Sequence, residues 1–360
     1  MASFFIGLPY LLKKIKVWYA FKIDGGFMIA NSITQTIGNT PLVHLSNIEK
    51  KYELNATILA KLEFFNPGGS IKDRIAYNMI VQAEKRGDIK PGTTIIEPTS
   101  GNTGVGLAMV CAAKGYNLVL TMPESMSIER RKLLTLLGAN LVLTPKALGM
   151  QGAVDKAMEL VKDLAPAWMP NQFANPDNPL IHQETTAMEI WNATMGELDI
   201  FVSAFGTSGT ITGCAKALKK FSLALNKKIE IVGVEPESSP LLSKGVAGPH
   251  KIQGIGANFI PPILEKELID TIITIDSDDA INMAMEVAKT QGILAGISSG
   301  AALQAAINLA KDKKNSGKKI VVIFPDTAER YLSVLPIATD FDKDGDIDCK
   351  DKEVVAKLGC

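Results

Sequence analysis

Residues 93–123, TTIIEPTSGNTGVGLAMVCAAKGYNLVLTMP, decide the fold. An apolar, β-branched run at 93–97 enters a Gly/Ser/Thr turn, a helical stretch follows at 102–114, Gly115 closes it, and a second apolar run occupies 117–122. Strand, helix, strand is the unit of a parallel sheet, because parallel neighbours need a connection long enough to return to the same edge. The alternation continues outward. Candidate strands lie at 57–62, 140–144, 199–204, 229–234, 271–275 and 319–324. Helical patterns at 71–86, 127–137, 183–195, 209–222, 278–291 and 299–313 separate them, several closed by a glycine where helix C-termini favour one. This order predicts an α/β protein of two βα domains with mostly parallel sheets, its ligand held beyond the strand carboxyl ends in the cleft between them. The Asn/Pro-rich NQFANPDNP, 171–179, marks the seam, giving an N-terminal α/β domain over 28–175 and a C-terminal one over 176–335.

The chain has 360 residues, 46% of them hydrophobic, which is enough for two cores. Its 38 basic and 38 acidic side chains balance, so nothing suggests nucleic acid as a partner. Cys111, Cys214, Cys349 and Cys360 are scattered and form no CxxC pair, which predicts a reducing, cytoplasmic setting without structural zinc. No apolar run reaches the roughly 20 residues that span a bilayer. Residues 1–27 form an apolar, aromatic extension with Lys13, Lys14, Lys16 and Lys22 and no acid before Asp24. Its apolar block precedes its charges, the reverse of a secretory signal, which leaves a poorly ordered leader, an interfacial helix or an organelle-targeting peptide.

Four loops carry chemistry. FFNPGGSIKDR, 64–74, sets Lys72 behind a Pro-Gly-Gly-Ser loop at a helix start, and lysine is the side chain that forms a reversible imine with an aldehyde. TSGNTG, 99–104, opens a helix directly after a strand, so its amides and hydroxyls suit a carboxylate. GTSGT, 206–210, does the same for a phosphate, and GISSGAA, 296–302, places Ser298 and Ser299 before a third helix. Taken singly, each is an ordinary capped turn. GTSGT is not the GxGxxG of a nicotinamide site, no glycine loop continues into GK[ST], and no GxSxG elbow places a serine beside His44, His182 or His250. His182 is expected to pack or cap a helix. Aldehyde, phosphate, ring nitrogen and amino-acid carboxylate together describe pyridoxal 5′-phosphate and its substrate.

From about Met28 to Leu332 the chain resembles the cysteine synthase (O-acetylserine sulfhydrylase) family of fold-type II pyridoxal-phosphate enzymes. The likeness rests on SITQTIGNTPLVHL, FFNPGGSIKDR, EPTSGNTG, MPESMSIERRKLLTLLGANLVLT, NQFANPDNP, GTSGTITG, GPHKIQGIGANFIP, GILAGISSGAA and AERYLS, in that order. The resemblance implies that Lys72 holds the cofactor and removes the substrate α-proton, that Asn102 bonds the ring hydroxyl oxygen, and that Ser298 meets the pyridine nitrogen. Gly206, Thr207, Ser208, Gly209 and Thr210 would hold the phosphate. Thr99, Ser100, Thr103 and Gln172 would bind the substrate carboxylate, and Gly254 and Gly256 would line the entrance. The implied reaction makes L-cysteine and acetate from O-acetyl-L-serine and sulfide, in a homodimer. Relatives of the cystathionine β-synthase kind share several of these motifs and use another thiol, and relatives of cysteine synthase also accept the tail of serine acetyltransferase in the active site. The chain departs from the family in two places. Ser208 stands where a glycine is usual, and PDTAERY, 325–331, has Asp326 where many relatives have serine, which predicts a carboxylate near the pyridine ring.

The tail over 336–360 is acidic, and DFDKDGDIDCKD within it has EF-hand spacing. Asp340, Asp342, Asp344 and Asp351 would ligate Ca2+ through carboxylates and Asp346 through its carbonyl, around the turn at Gly345. Position 12 of the loop is the shorter aspartate, and no second loop pairs with it. A solvated acidic tail is the alternative.

Overall fold

The runs at 57–62, 200–204, 230–236 and 319–324 are buried on almost every residue, which requires a sheet covered on both faces. The computed structural model describes residues 29–337, and there these runs join one six-stranded sheet. Its spatial order is β1 (Leu42–His44), β2 (Thr57–Leu62), β10 (Lys319–Phe324), β7 (Ile200–Ala204), β8 (Glu230–Pro236) and β9 (Thr271–Ile275). Only β1 is antiparallel to its neighbour. A second, parallel sheet of four strands runs β5 (Asn140–Thr144), β4 (Asn117–Pro123), β3 (Thr94–Pro98) and β6 (Ala167–Trp168). The α/β class and the parallel sheets agree with the sequence reading. Sheet membership, however, does not follow the 175/176 division, because β1 and β2 precede it and pair in the sheet built from residues after it. The extension 1–27 and the acidic loop 340–351 lie outside the described residues.

The helices that position the core and the site are α1 (Ser46–Lys51), α2 (Lys72–Arg86), α3 (Asn102–Lys114), α4 (Ile128–Leu136), α5 (Gly149–Asp163), α6 (Asp177–Ile181), α7 (Ala187–Ala193), α8 (Gly209–Ala224), α9 (Ser277–Gln291) and α10 (Ile297–Lys311). Gly87 and Gly115 end α2 and α3 in the left-handed conformation, as their placement predicts. The helix expected over 183–195 belongs to a continuous helical run over 177–193 whose middle is π-helical. Between α6 and α7, residues His182–Thr186 form a π-helical stretch in which the Thr185 hydroxyl donates to the Ile181 carbonyl at 2.6 Å. A β-branched hydroxyl competing for that carbonyl is a local cause of such widening. Among the described residues no helix is long and apolar enough to cross a membrane.

The start of α2 is pinned by a buried charge cluster. Arg74, 1% exposed, forks onto Glu63 at 2.7 and 2.9 Å and onto Glu189 of α7 at 2.8 Å through two nitrogens. Lys61 of β2 reaches the same Glu189 at 2.6 Å and the Thr40 carbonyl at 2.6 Å. Two cations face two carboxylates, so the cluster is neutral. Burial alone would raise Glu189, but Arg74 and Lys61 hold it down to about 2. Removing one member of such a cluster costs about 3–5 kcal/mol, since an uncompensated charge stays buried. Urea unfolding of Arg74→Leu is therefore expected to show a loss of that size, and Arg74→Lys to recover only part, having no second donor fork.

Candidate active site

The loops after β3, β7 and β10 and the turn before α2 all end at one cavity of about 330 Å³. Lys72, the first residue of α2, lines it, and its backbone N–H is capped by the Ser70 hydroxyl at 3.2 Å. The turn is bound to the segment after β10, since Ile71 N–H donates to the Pro325 carbonyl at 2.8 Å and Ser70 bridges Asp326. Burial lowers the proton affinity of the Lys72 amine, opposed by the charges of Asp326 and Glu63. Among the described residues Lys72 makes no ion pair, and Glu63 is taken up by Arg74.

Thr99, Ser100, Asn102 and Thr103 line the cavity at the start of α3, facing Gln172 and Phe173. The Thr103 hydroxyl donates to Gln172 Oε1 at 2.5 Å. Gln172 is held from behind, its N–H donating to buried Glu97 at 3.1 Å beside that of Asn171 at 2.8 Å. Burial pushes Glu97 up to about 7, against those two donors. The Gln172 carbonyl accepts from Asn178 Nδ2 at 2.7 Å, and the same nitrogen lies 3.2 Å from the Thr207 hydroxyl. One buried amide therefore joins Gln172, itself bonded to Thr103 in the first turn of α3, to the loop before α8. Asn178 sits inside NQFANPDNP, where the sequence shows a seam and no sign of this bridge.

Gly206, Thr207, Ser208 and Thr210 line the cavity at the start of α8. Gly206 and Gly209 are close-approach positions, where an added Cβ would lie 2.3 Å from the Gly254 carbonyl oxygen and 1.8 Å from Asn178 Oδ1. Gly209 itself is packed behind the loop. Ser208 has φ +69°, the left-handed region, and its buried hydroxyl has no hydrogen-bond partner among the described residues. Ser298, in the first turn of α10, and Gly254 complete the cavity, whereas Gly256 lies beyond Gly206 in a neighbouring small cavity. His182 is buried between Thr186 at 2.9 Å and Thr210 at 3.3 Å, behind the loop, and burial holds it well below its usual pKa. It packs, as expected, and supplies a neutral ring.

Asp326 is 1% exposed and lines the same cavity, in agreement with the carboxylate expected there. Tyr331 and Arg330, which the motifs did not single out, reach the site through this segment: Tyr331 donates to Asp326 at 2.5 Å, and Arg330 donates to Asn102 Oδ1 and to the Gly68 carbonyl.

An organic phosphate bearing an aldehyde fits these groups. A 16-residue helix begins at a loop with room for an anion, an orphan hydroxyl points to a missing acceptor, and an amine of reduced proton affinity stands across the cavity. Left-handed backbone costs a serine about 1–2 kcal/mol, against about 0.5–1 kcal/mol of extra chain entropy for glycine. Ser208→Gly should therefore raise unfolding stability without ligand by about 0.5–1 kcal/mol in thermal or urea denaturation. The same change should weaken pyridoxal phosphate binding in a fluorescence titration, since one donor is lost.

Residues 33–326 match the family described as pyridoxal-phosphate dependent enzyme. A cysteine synthase of Staphylococcus aureus (strain N315) is 53% identical over 304 residues, covering 84% of this chain and 96% of that protein. The crystal structure of cysteine synthase (OASS) from Entamoeba histolytica superposes with a TM-score of 0.83 at 46% identity, covering 87% of this chain and 92% of that one. That of an O-acetylserine dependent cystathionine β-synthase from Helicobacter pylori does so with a TM-score of 0.79 at 40% identity, covering 86% and 100%. With the family match spanning most of the chain and the site built as such chemistry requires, this chain belongs to the pyridoxal-phosphate dependent enzymes.

Proposed function

We propose that the chain is a cysteine synthase, making L-cysteine and acetate from O-acetyl-L-serine and sulfide. The observation that carries this reading is the meeting, in one cavity, of a lysine amine of lowered proton affinity, a hydroxyl-lined loop at the start of α3 and a glycine-serine loop at the start of α8. Pyridoxal phosphate bound there supplies an aldehyde for amines and a ring that draws electrons from the substrate Cα.

The backbone of Gly206 to Thr210, with the hydroxyls of Thr207, Ser208 and Thr210, holds the phosphate against the positive end of α8. Ser298 would face the ring nitrogen, and a neutral partner there would leave the ring less readily protonated, favouring β-elimination and replacement over transamination. Asn102 meets the ring hydroxyl oxygen. Thr99, Ser100, Thr103 and Gln172 hold the substrate carboxylate and fix which Cα bond faces Lys72. Lys72 anchors the cofactor and afterwards takes the Cα proton on Nζ. Burial serves both tasks, because the amine is free at lower pH than a solvated lysine. Gly254 shapes the entrance, with Gly256 behind it in the neighbouring small cavity.

The Helicobacter pylori neighbour favours a second reading, in which a larger thiol replaces sulfide at the same site. With O-acetylserine, sulfide is expected to give cysteine at a far higher kcat/KM than homocysteine gives cystathionine, and the reverse ranking overturns the first reading. Lys72→Ala is expected to lack the visible band of the bound cofactor and to lose activity by about 10²–10⁴-fold or more. Borohydride treatment of the wild-type protein should fix the cofactor mass on the peptide that carries Lys72.

A homodimer is the assembly proposed, supported by exposed Leu133 and Leu332 beside a surface cavity of about 1060 Å³ that runs out from Asn102. A reducing, cytoplasmic setting is supported by Cys111 and Cys214, both free and buried. Calcium at Asp340, Asp342, Asp344, Asp346 and Asp351 is supported by the acidic spacing alone. Calorimetry should show a calcium heat for the full chain that is lost on truncation after Thr339, and equal heats remove the proposal.

A further inference from the structure

Asp326 is the buried carboxyl of the cavity to which the reading above gives no task. Its Oδ2 accepts from Asn102 Nδ2 at 2.7 Å and from the Tyr331 hydroxyl at 2.5 Å, while Oδ1 is buried with no partner among the described residues. Asn102 is held at its other end too, since Arg330 donates to Asn102 Oδ1. A guanidinium only donates, and an ionised carboxylate only accepts. The amide is therefore fixed in one sense and cannot flip without facing donor to donor and acceptor to acceptor. What remains to Asn102 is its second Nδ2 hydrogen, the donor that an oxygen anion on a cofactor ring requires.

Asp326 is itself fixed to the rest of the site. Its main chain bridges Ser70, two residues before Lys72, and its carbonyl accepts from Gly296 N–H at 2.9 Å, two residues before Ser298. At Gly296 an added Cβ would lie 2.0 Å from Asp326 Oδ1, so the turn into α10 has no room for a side chain against this carboxyl.

We propose that Asp326 is a positioning residue for the cofactor ring: through Oδ2 it sets the Asn102 amide, and through that amide it tunes the proton affinity of the ring hydroxyl. The proposal rests on the cofactor reading above. The groups facing the carboxyl are Lys72 from α2, Asn102 from α3, Arg330 and Tyr331 from its own segment, and the uncharged turn at Gly296 before α10. Burial raises its proton affinity, while the bonds from Tyr331 and Asn102 and the charges of Arg330 and Lys72 oppose that rise.

The test is the pH titration of the visible absorption of the cofactor-loaded protein, with cofactor content measured separately. Asp326→Asn keeps the shape and removes both the charge and the fixed sense of the amide pair. It is expected to retain the cofactor and to move the titration midpoint by about one pH unit or more. Tyr331→Phe, which takes one donor from the same oxygen and keeps the carboxyl, is expected to move it as well, and decides the matter should the first variant not fold. A midpoint unmoved from wild type, with normal cofactor content, overturns the proposal, because a merely structural carboxyl would change melting temperature alone. A wild-type protein with no visible band overturns the cofactor reading instead, and this proposal with it.

Discussion

The site depends on one primary amine that lines the cavity with its proton affinity lowered and no ion pair among the described residues. Two cations stand two residues apart at the start of α2, and the fold treats them oppositely. Arg74 is saturated by Glu63 and Glu189, whereas Lys72, half-buried at the cavity wall, makes no ion pair among the described residues. Had Glu63 been free, it would have stabilised the ammonium form and removed the nucleophile. The neutral cluster of Lys61, Arg74, Glu63 and Glu189 thus does two things: it fixes the first turn of α2, and it takes up Glu63, one of the two acids whose charges act on the amine, leaving Asp326 as the other.

The two anion loops are mechanically joined. Thr103, Gln172, Asn178 and Thr207 form a buried run of hydrogen bonds from the helix start that faces the carboxylate to the one that faces the phosphate. Groups so connected move together or not at all, and a ligand seated on one loop biases the other only through differential contacts with this run. Ser208, held at positive φ with an unpartnered hydroxyl, marks where backbone comfort has yielded to ligand geometry.

Much of this is visible in the amino-acid order. Strands buried on both faces are continuous apolar runs, and their observed bounds lie within about two residues of those read from the sequence. β1 and β6 escape because three and two residues carry no period, and α5 falls outside the alternation above even though its pattern is amphipathic. The π-helical stretch at 182–186 turns on which hydroxyl wins a carbonyl, which composition does not reveal. In the site, the loops are legible because each chemical task is carried by a short local motif. Asn178, Arg330 and Tyr331 are not, since their meaning lies in partners that only the closed fold brings near: the amide of Asn102 and the carboxyl of Asp326 come from positions 224 residues apart. The carboxyl itself was legible, as a departure within a known pattern.

The sheet order carries a consequence for biosynthesis. β10, the last strand among the described residues to leave the ribosome, sits in the middle of the large sheet, between β2 and β7. Until it is made, a nascent chain carries two half-sheets whose inner edges display unpaired amides and carbonyls, open to wrong partners. The pairing of Thr57 with Lys319 also closes a loop that encloses the entire smaller sheet. Assembly is thereby ordered: the inserted four-stranded unit has time to form early from local contacts, while the catalytic cleft waits for the final strand and, in the crowded cell, for whatever shields those edges meanwhile.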